Sequence, residues 1–250
     1  MQEREYHILR SVEDTHWWFR SLHELAASWV RRAAGPDGGR VVDAGCGTGG
    51  LIAFLSAFTR AEGFDASPLA VELAAERGVG DVRLGDLNDP GLEPGAYDAV
   101  TSIDVLTHHG VRDDADATRR LAEALRPGGL LFLHLPAYRW LISHHDAPVG
   151  GVRRYTLGRV RAMLEGAGLE FVHGSYRNAT LLPPIAAWRL ARKAIDRRPP
   201  DPEAPSDVGP MPAWVNVPLL ALCRLENRIG SRWGLPFGTS VWAVGRRPES

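Results

Sequence analysis

Arg40-Val41-Val42-Asp43-Ala44-Gly45-Cys46-Gly47-Thr48-Gly49-Gly50 is the stretch on which the fold turns. Two β-branched residues lead into an acid, glycines alternate behind it, and an apolar run (Leu51, Ile52, Phe54, Leu55, Phe58) follows at helical spacing. That pattern predicts a buried strand, a tight loop and a packed helix. Glycine lets the loop take positive φ and lets a ligand approach the main chain, while the helix start offers unpaired N–H groups. Two ligand classes use such a loop. Gly45, Gly47 and Gly50 satisfy the dinucleotide pattern G-x-G-x-x-G. Gly45, Gly47 and Gly49, with Asp43 two residues before the first, satisfy an acid-led pattern in which glycine recurs every second residue.

The second pattern resembles the D/E-x-G-x-G-x-G motif of class I S-adenosylmethionine (SAM) methyltransferases. Asp43 separates the two readings better than the glycines do. A carboxylate at the strand end is a poor neighbour for the pyrophosphate of a dinucleotide, whereas SAM carries an ammonium and a sulfonium. An ordinary glycine-rich strand–helix turn is the third reading of the same residues.

Outward from the loop, strand and helix patterns alternate, as in a parallel sheet covered on both faces. Ala61–Asp65 reads as a second strand, after which Ser67 caps a helix with Pro68 at its first position. Asp65 lies 22 residues after Asp43, where an acid can accept from both hydroxyls of a ribose. Asp86 follows a third strand, Asp81–Leu84, and comes 21 residues after Asp65. A fourth strand, Tyr97–Ile103, runs into Asp104-Val105-Leu106-Thr107-His108-His109, and Asp113, Asp114 and Asp116 suit the start of the next helix. Arg126-Pro127-Gly128-Gly129 opens the strongly apolar fifth strand, Leu130–Pro136. A helix over about 156–167, a sixth strand over Leu169–Tyr176 and a seventh over Ser240–Gly245 complete the series. The expected fold is therefore α/β: a Rossmann-like, seven-stranded, mostly parallel sheet with an antiparallel last strand.

Two elaborations frame this core. Residues 1–39 form a helical N-terminal cap, in which Asp14 or Thr15 caps a helix striped with Trp18, Leu22, Leu25 and Trp29. Residues 40–177 with 239–250 make the core, and 178–238 form an insertion too long for a simple hairpin loop. The insertion carries helical patterns over Leu181–Arg198 and Val217–Ile229, separated by a proline-rich stretch from Pro199 to Pro212. A sixth strand parallel to the rest would end on the ligand face. The insertion would then serve as a substrate lid, an oligomer surface or a shallow membrane contact.

The resemblance extends to the UbiG/UbiE-like group of these methyltransferases, over roughly residues 40–177 and 240–247. A subgroup shares the preface His16-x-Trp18-Phe19-Arg20 and the segment Pro136-Ala137-Tyr138-Arg139-Trp140-Leu141-Ile142-Ser143-His144-His145-Asp146, followed by Arg153-Arg154-Tyr155-Thr156. It implies SAM as cofactor, held by Asp43, Gly45, Gly47, Gly49, Asp65, Ser67, Asp86, Leu87, Ile103 and Trp18. Asp86 would meet the adenine amine, with Leu87 beside the ring. The chain departs from the group at Thr107, where a glutamate is usual, and at Gly151, where a histidine often precedes the two arginines.

Methyl transfer from a sulfonium is an in-line displacement, so orienting the nucleophile is the main task; a hydroxyl or carbon acid also needs a base within reach. His145, oriented by Asp146, is the first candidate base and His108 the second; His109, Tyr138, Tyr155 and Arg154 are expected to shape the substrate pocket. Adjacent histidines on an extended segment point apart, so no metal site is expected. A net charge of −1 without a basic block excludes an electrostatic nucleic-acid footprint. Two cysteines, Cys46 and Cys223, fit a reducing cytoplasm, and no apolar run reaches transmembrane length. The expected activity is methyl transfer to an O, N or C atom of a small, apolar or aromatic metabolite, by a monomer or homodimer. A SAM-fold enzyme using the cofactor structurally for other chemistry, an NAD-binding dehydrogenase, and a regulatory protein on an inactive SAM fold are the competing classes.

Overall fold

The computed structural model describes residues 1–36, 38–142, 149–195 and 208–249. Seven strands form one sheet in the order β3-β2-β1-β4-β5-β7-β6: β1 Arg40–Ala44, β2 Arg60–Asp65, β3 Val82–Leu84, β4 Tyr97–Ile103, β5 Leu125–Pro136, β6 Glu170–Arg177 and β7 Ser240–Arg246. The first five pair in parallel. β7 runs antiparallel to both β5 and β6, so β6 points the same way as the first five. The carboxyl ends of six strands therefore share one edge, where ligands of open α/β sheets bind.

Alternation along the strands divides the core in two. Val42, Val100, Leu131, Leu133 and Val241 pack against α5 (Asp114–Glu123) and α6 (Leu157–Gly166). Val41, Ala99, Leu130, Phe132 and Trp242 pack on the other face, against α2 (Trp17–Ala34) and α3 (Gly50–Leu55). The central strands β1, β4, β5 and β7 are largely apolar on both faces, as a sheet covered on both sides requires.

The preface is two helices, α1 (Glu3–Val12) and α2, rather than one helix capped by Asp14 or Thr15. His16 is the cap of α2: its Nδ1 accepts from Trp18 N at 3.3 Å, while Thr15 N and His16 N still bond back to Val12 O. Aspartate and threonine are the commoner caps, but here both fall in the turn that ends α1. The expected stripe holds, with Leu22, Leu25 and Trp29 buried on the sheet. Trp17, off that stripe, is buried instead against Leu220 and Cys223 of α8 (Ala213–Trp233).

The insertion is helical at both ends: α7 spans Leu182–Ile195 and α8 begins one turn earlier than expected, with Pro218 inside it. α8 is joined to the body by polar contacts. Asn216 accepts from Trp17 N at 2.7 Å, Asn227 donates to Ser21 O at 2.7 Å, and Arg224 pairs with Glu24. Glu226 accepts from Ala179 N and Thr180 N at 3.0 and 2.9 Å, fixing the chain where it leaves β6. Residues 199–207 of the proline-rich stretch lie outside the described residues. Among the described residues no helix is long and apolar enough to cross a membrane.

Candidate active site

Between β1 and α3, Gly45, Gly47 and Gly49 have φ of 80°, 54° and 79°, whereas Gly50 does not enter the left-handed region. The glycines that need their conformational freedom are thus those of the acid-led pattern, not the dinucleotide one. A Cβ at Gly45 would also run into the side chain of Val105. Asp65 locks the loop from the neighbouring strand: its carboxylate accepts from Gly47 N and from Ser67 N, each at 2.9 Å. Ser67 caps α4 (Pro68–Glu76) through Ala70 N, as its sequence context predicts.

Asp43 is 4% exposed and accepts a 2.7 Å hydrogen bond from Thr101 on β4. Burial pushes its carboxyl up to about 7; Thr101 opposes the rise, and the charges of Asp65 and Glu13 add to it. An acid so placed is completed by a cation, which restores the ionised form. Asp86 stands just beyond β3, exposed, and accepts from Asn88 N and Nδ2 at 2.9 and 2.7 Å. Leu87 is buried beneath it, and Ile103 is half-buried at the end of β4. Three acids thus stand at the carboxyl ends of adjacent strands. The donor set and the glycine cradle fit a sulfonium nucleoside with a free ammonium.

Helix α1 lies across this loop, which the sequence reading did not anticipate. The Tyr6 hydroxyl engages Ser67 and Asp65, and burial with the Asp65 charge raises its pKa to about 12. Leu9 packs over Gly47. Glu13, itself pushed up by burial, accepts from Thr48 Oγ1 and pairs with Arg77, whose Nε donates to Thr48 O at 3.0 Å. Tyr6, Leu9 and Glu13 recur at i, i+3 and i+7, a one-face spacing that was available to find them.

The expected acceptor side is reordered by the structure. His145 and Asp146 lie outside the described residues, as does His144. His108 is a weak base: burial, the chain's amino terminus and His109 bring its pKa down to about 4, and its Nδ1 accepts from Gly110 N. His109 is exposed against it, with ring centroids 4.2 Å apart. Tyr155 does not present its hydroxyl to a pocket. It is 1% exposed and donates to Leu106 O at 2.9 Å and contacts Asp114 at 2.8 Å, which with burial raises its pKa strongly. Arg154 is likewise buried, with Nη1 donating to Ala137 O at 3.0 Å. Both hold the segment after β5 against the core because the chain there is pinned to β4's loop. Thr107, in place of the group's usual glutamate, donates to Arg153 O. Tyr138 is half-buried with φ 54° and stacks between Trp140 and Tyr176.

Two groups at this edge escaped the sequence reading. His134, inside the apolar run of β5, is fully buried with Nδ1 3.1 Å from Asp104 Oδ1. Arg177, the last residue of β6, is 1% exposed with its guanidinium 5.3 Å from the Trp18 ring. For His134 the available signal was a titratable residue within an otherwise apolar strand. Among the described residues no three His, Cys, Asp or Glu gather as a metal site. A separate cavity of about 420 Å³ lies beside Arg40, Glu62, Arg83 and Tyr97. Arg40 there pairs with Glu62 and Glu93, and the cavity does not include the glycine loop.

Comparison with known proteins agrees with this geometry. A ubiquinone biosynthesis O-methyltransferase of Ralstonia nicotianae is 34% identical over 146 residues, 51% of this chain and 60% of that protein. The match thus spans less than two thirds of that relative. Its namesake in Chromobacterium violaceum is 35% identical over 197 residues, covering 71% of this chain and 76% of the relative. Among solved structures, the cyclase SpnF shares the fold at a TM-score of 0.58 and 20% identity, over 93% of this chain and 83% of its own. The family model described as a methyltransferase domain matches residues 18–174, and the chain belongs to that family.

Proposed function

We propose that the chain transfers a methyl group from SAM to an oxygen, nitrogen or carbon nucleophile of a small aromatic or apolar metabolite, oxygen foremost. The observation that carries this reading is Asp43, a buried acid with a raised pKa beside a loop whose left-handed glycines are 45, 47 and 49. Asp43 receives the α-ammonium, Asp65 the ribose hydroxyls, and Asp86 with Leu87 and Ile103 the adenine. SAM supplies an activated methyl; the chain's own work is orienting the acceptor and excluding water, worth about 7–11 kcal/mol for well-aligned reactants. The acceptor enters at the carboxyl ends of β4 and β5, beside Trp18 and Tyr138. The O-methyltransferase names of the relatives support oxygen as the methylated atom. The exposed Trp214 and Trp233 of α8 suit an apolar acceptor, a second copy or a lipid surface.

Calorimetric titration with S-adenosylhomocysteine (SAH) and with NAD tests the cofactor, and SAH release over a panel of phenols tests the transfer. SAH is expected to bind, NAD not, and Asp43→Asn to weaken SAH by about tenfold or more. Tight NAD binding, or an Asp43→Asn protein with unchanged SAH affinity, removes the proposal.

A further inference from the structure

One polar cluster at the carboxyl edge lies apart from the three acids assigned to the cofactor. Asp104 follows β4 with φ 57°, a left-handed conformation costly for a non-glycine residue. Two bonds hold it there: its N–H donates to His134 O at 2.8 Å, and its Oδ1 lies 3.1 Å from His134 Nδ1. An ionised carboxylate only accepts, so Nδ1 carries the ring proton and Nε2 is left with a lone pair. His134 is fully buried, and its Nε2 has no hydrogen-bond partner among the described residues.

The indole of Trp18 lies edge-on to His134 at 5.7 Å, and the same ring carries the Arg177 guanidinium at 5.3 Å. Arg177 Nη2 donates to Trp18 O at 2.9 Å and to Ser21 Oγ. Its Nε and Nη1 have no partner among the described residues, and no carboxylate is hydrogen-bonded to it there. A buried cation without a bonded counter-charge is costly and calls for an anion. Burial draws this guanidinium down to about 10, opposed by the nearby charges of Cys223, Asp104 and Glu226, none of which is hydrogen-bonded to it among the described residues.

A lone-pair nitrogen and a buried cation with two unpartnered nitrogens, flanking one aromatic ring, are complementary to an acidic hydroxyl. We propose that Asp104, His134, Trp18 and Arg177 form the pocket that activates a phenolic acceptor, His134 as the catalytic base and Arg177 as the oxyanion's partner. The inference rests on the reading of the chain as an oxygen methyltransferase. In the step, the phenol O–H bond breaks, its proton passes to His134 Nε2, and the electron pair stays on oxygen beside Arg177. Asp104 is a positioning residue that fixes the tautomer and balances the imidazolium, which later returns its proton to solvent.

The test uses the full chain saturated with SAH and para-nitrophenol as a coloured probe, at a pH about one unit below the probe's own ionisation. Wild type is expected to bind it as the yellow phenolate. His134→Gln and Arg177→Met are each expected to lower the bound phenolate-to-phenol ratio about tenfold, one pKa unit. Imidazole-nitrogen NMR of the wild type is expected to place the His134 proton on Nδ1, and Asp104→Asn to move it to Nε2. A probe that stays neutral or does not bind, a phenolate band kept in His134→Gln, or a wild-type proton on Nε2 overturns the proposal. The NMR result needs no variant and so decides even if a substitution prevents folding. SAH binding is followed separately: its loss counts against the cofactor reading, not against this pocket.

Discussion

Raising or lowering pH across neutrality changes the charge of Asp43, and the cofactor affinity should follow. In the free protein the carboxyl titrates at about 7 because burial outweighs the Thr101 hydrogen bond. A ligand ammonium selects the ionised form, so apparent affinity falls by the factor 1 + 10^(pKa − pH). That factor is about 1.1 near pH 8 and about 11 near pH 6, a loss of about 1.4 kcal/mol for the lower pH. The stability of the free protein has the opposite sign. With the folded pKa raised above the unfolded 3.8, the native state holds the extra proton, and stability falls as pH rises from about 4 to about 7. Glu13 shifts in the same direction, so the Asp43→Asn variant is the necessary subtraction. Calorimetry with SAH in buffers of differing ionisation enthalpy measures both the affinity and the proton count. The expected result is release of close to one proton per SAH near pH 6, absent in Asp43→Asn. A flat affinity profile, or a slope that Asp43→Asn retains, refutes the assignment of Asp43 to the ammonium.

Three further substitutions separate the cofactor loop from its supports. Gly45→Ala combines a left-handed φ with a collision against Val105 and should cost about 2–5 kcal/mol in urea unfolding, with SAH binding lost. Glu13→Gln removes one partner of the buried Arg77 while Asp14, at 2.6 Å, remains. It should therefore cost ~1–3 kcal/mol, below the full penalty for an unpaired buried charge, and speed SAH dissociation in stopped-flow displacement. Tyr155→Phe leaves Asp114 with Arg159 and should cost ~1–2 kcal/mol in denaturation midpoint while SAH affinity stays unchanged. A rise in acceptor KM there, with the denaturation midpoint unchanged, would return Tyr155 to the pocket.

The sheet was legible because its signals are local. Val41 and Val42, facing opposite cores, need only the period of a strand, and Ser67-Pro68 announces a helix start without reference to anything distant. Asp43, Asp65 and Asp86 could be spaced along the chain because each follows the last residues of a recognisable strand. What was missed depends on register and on elements brought from afar. Tyr6 matters only because α1 folds back over a loop some forty residues later. Tyr155 and Arg154 looked like pocket residues because both sit in a polar segment after β5; their burial follows from the bridge between Ala137 and Tyr155.

His134 makes the same point in the other direction. Read along β5 it is a polar interruption in an apolar run, and alternation alone places it with Phe132 on the α2 face. Its meaning comes from three partners on three other elements. Asp104 is set by the β4 pairing of Ile103 with His134, Trp18 by the capped start of α2, and Arg177 by the pairing of β6 with Ser240 on β7. A shift of β5 by one residue would turn the imidazole into the α5–α6 core, where Leu133 and Leu135 now sit, and leave Arg177 facing Trp18 alone. The chemistry of this edge is therefore a property of the sheet's register, which no single stretch of the chain contains.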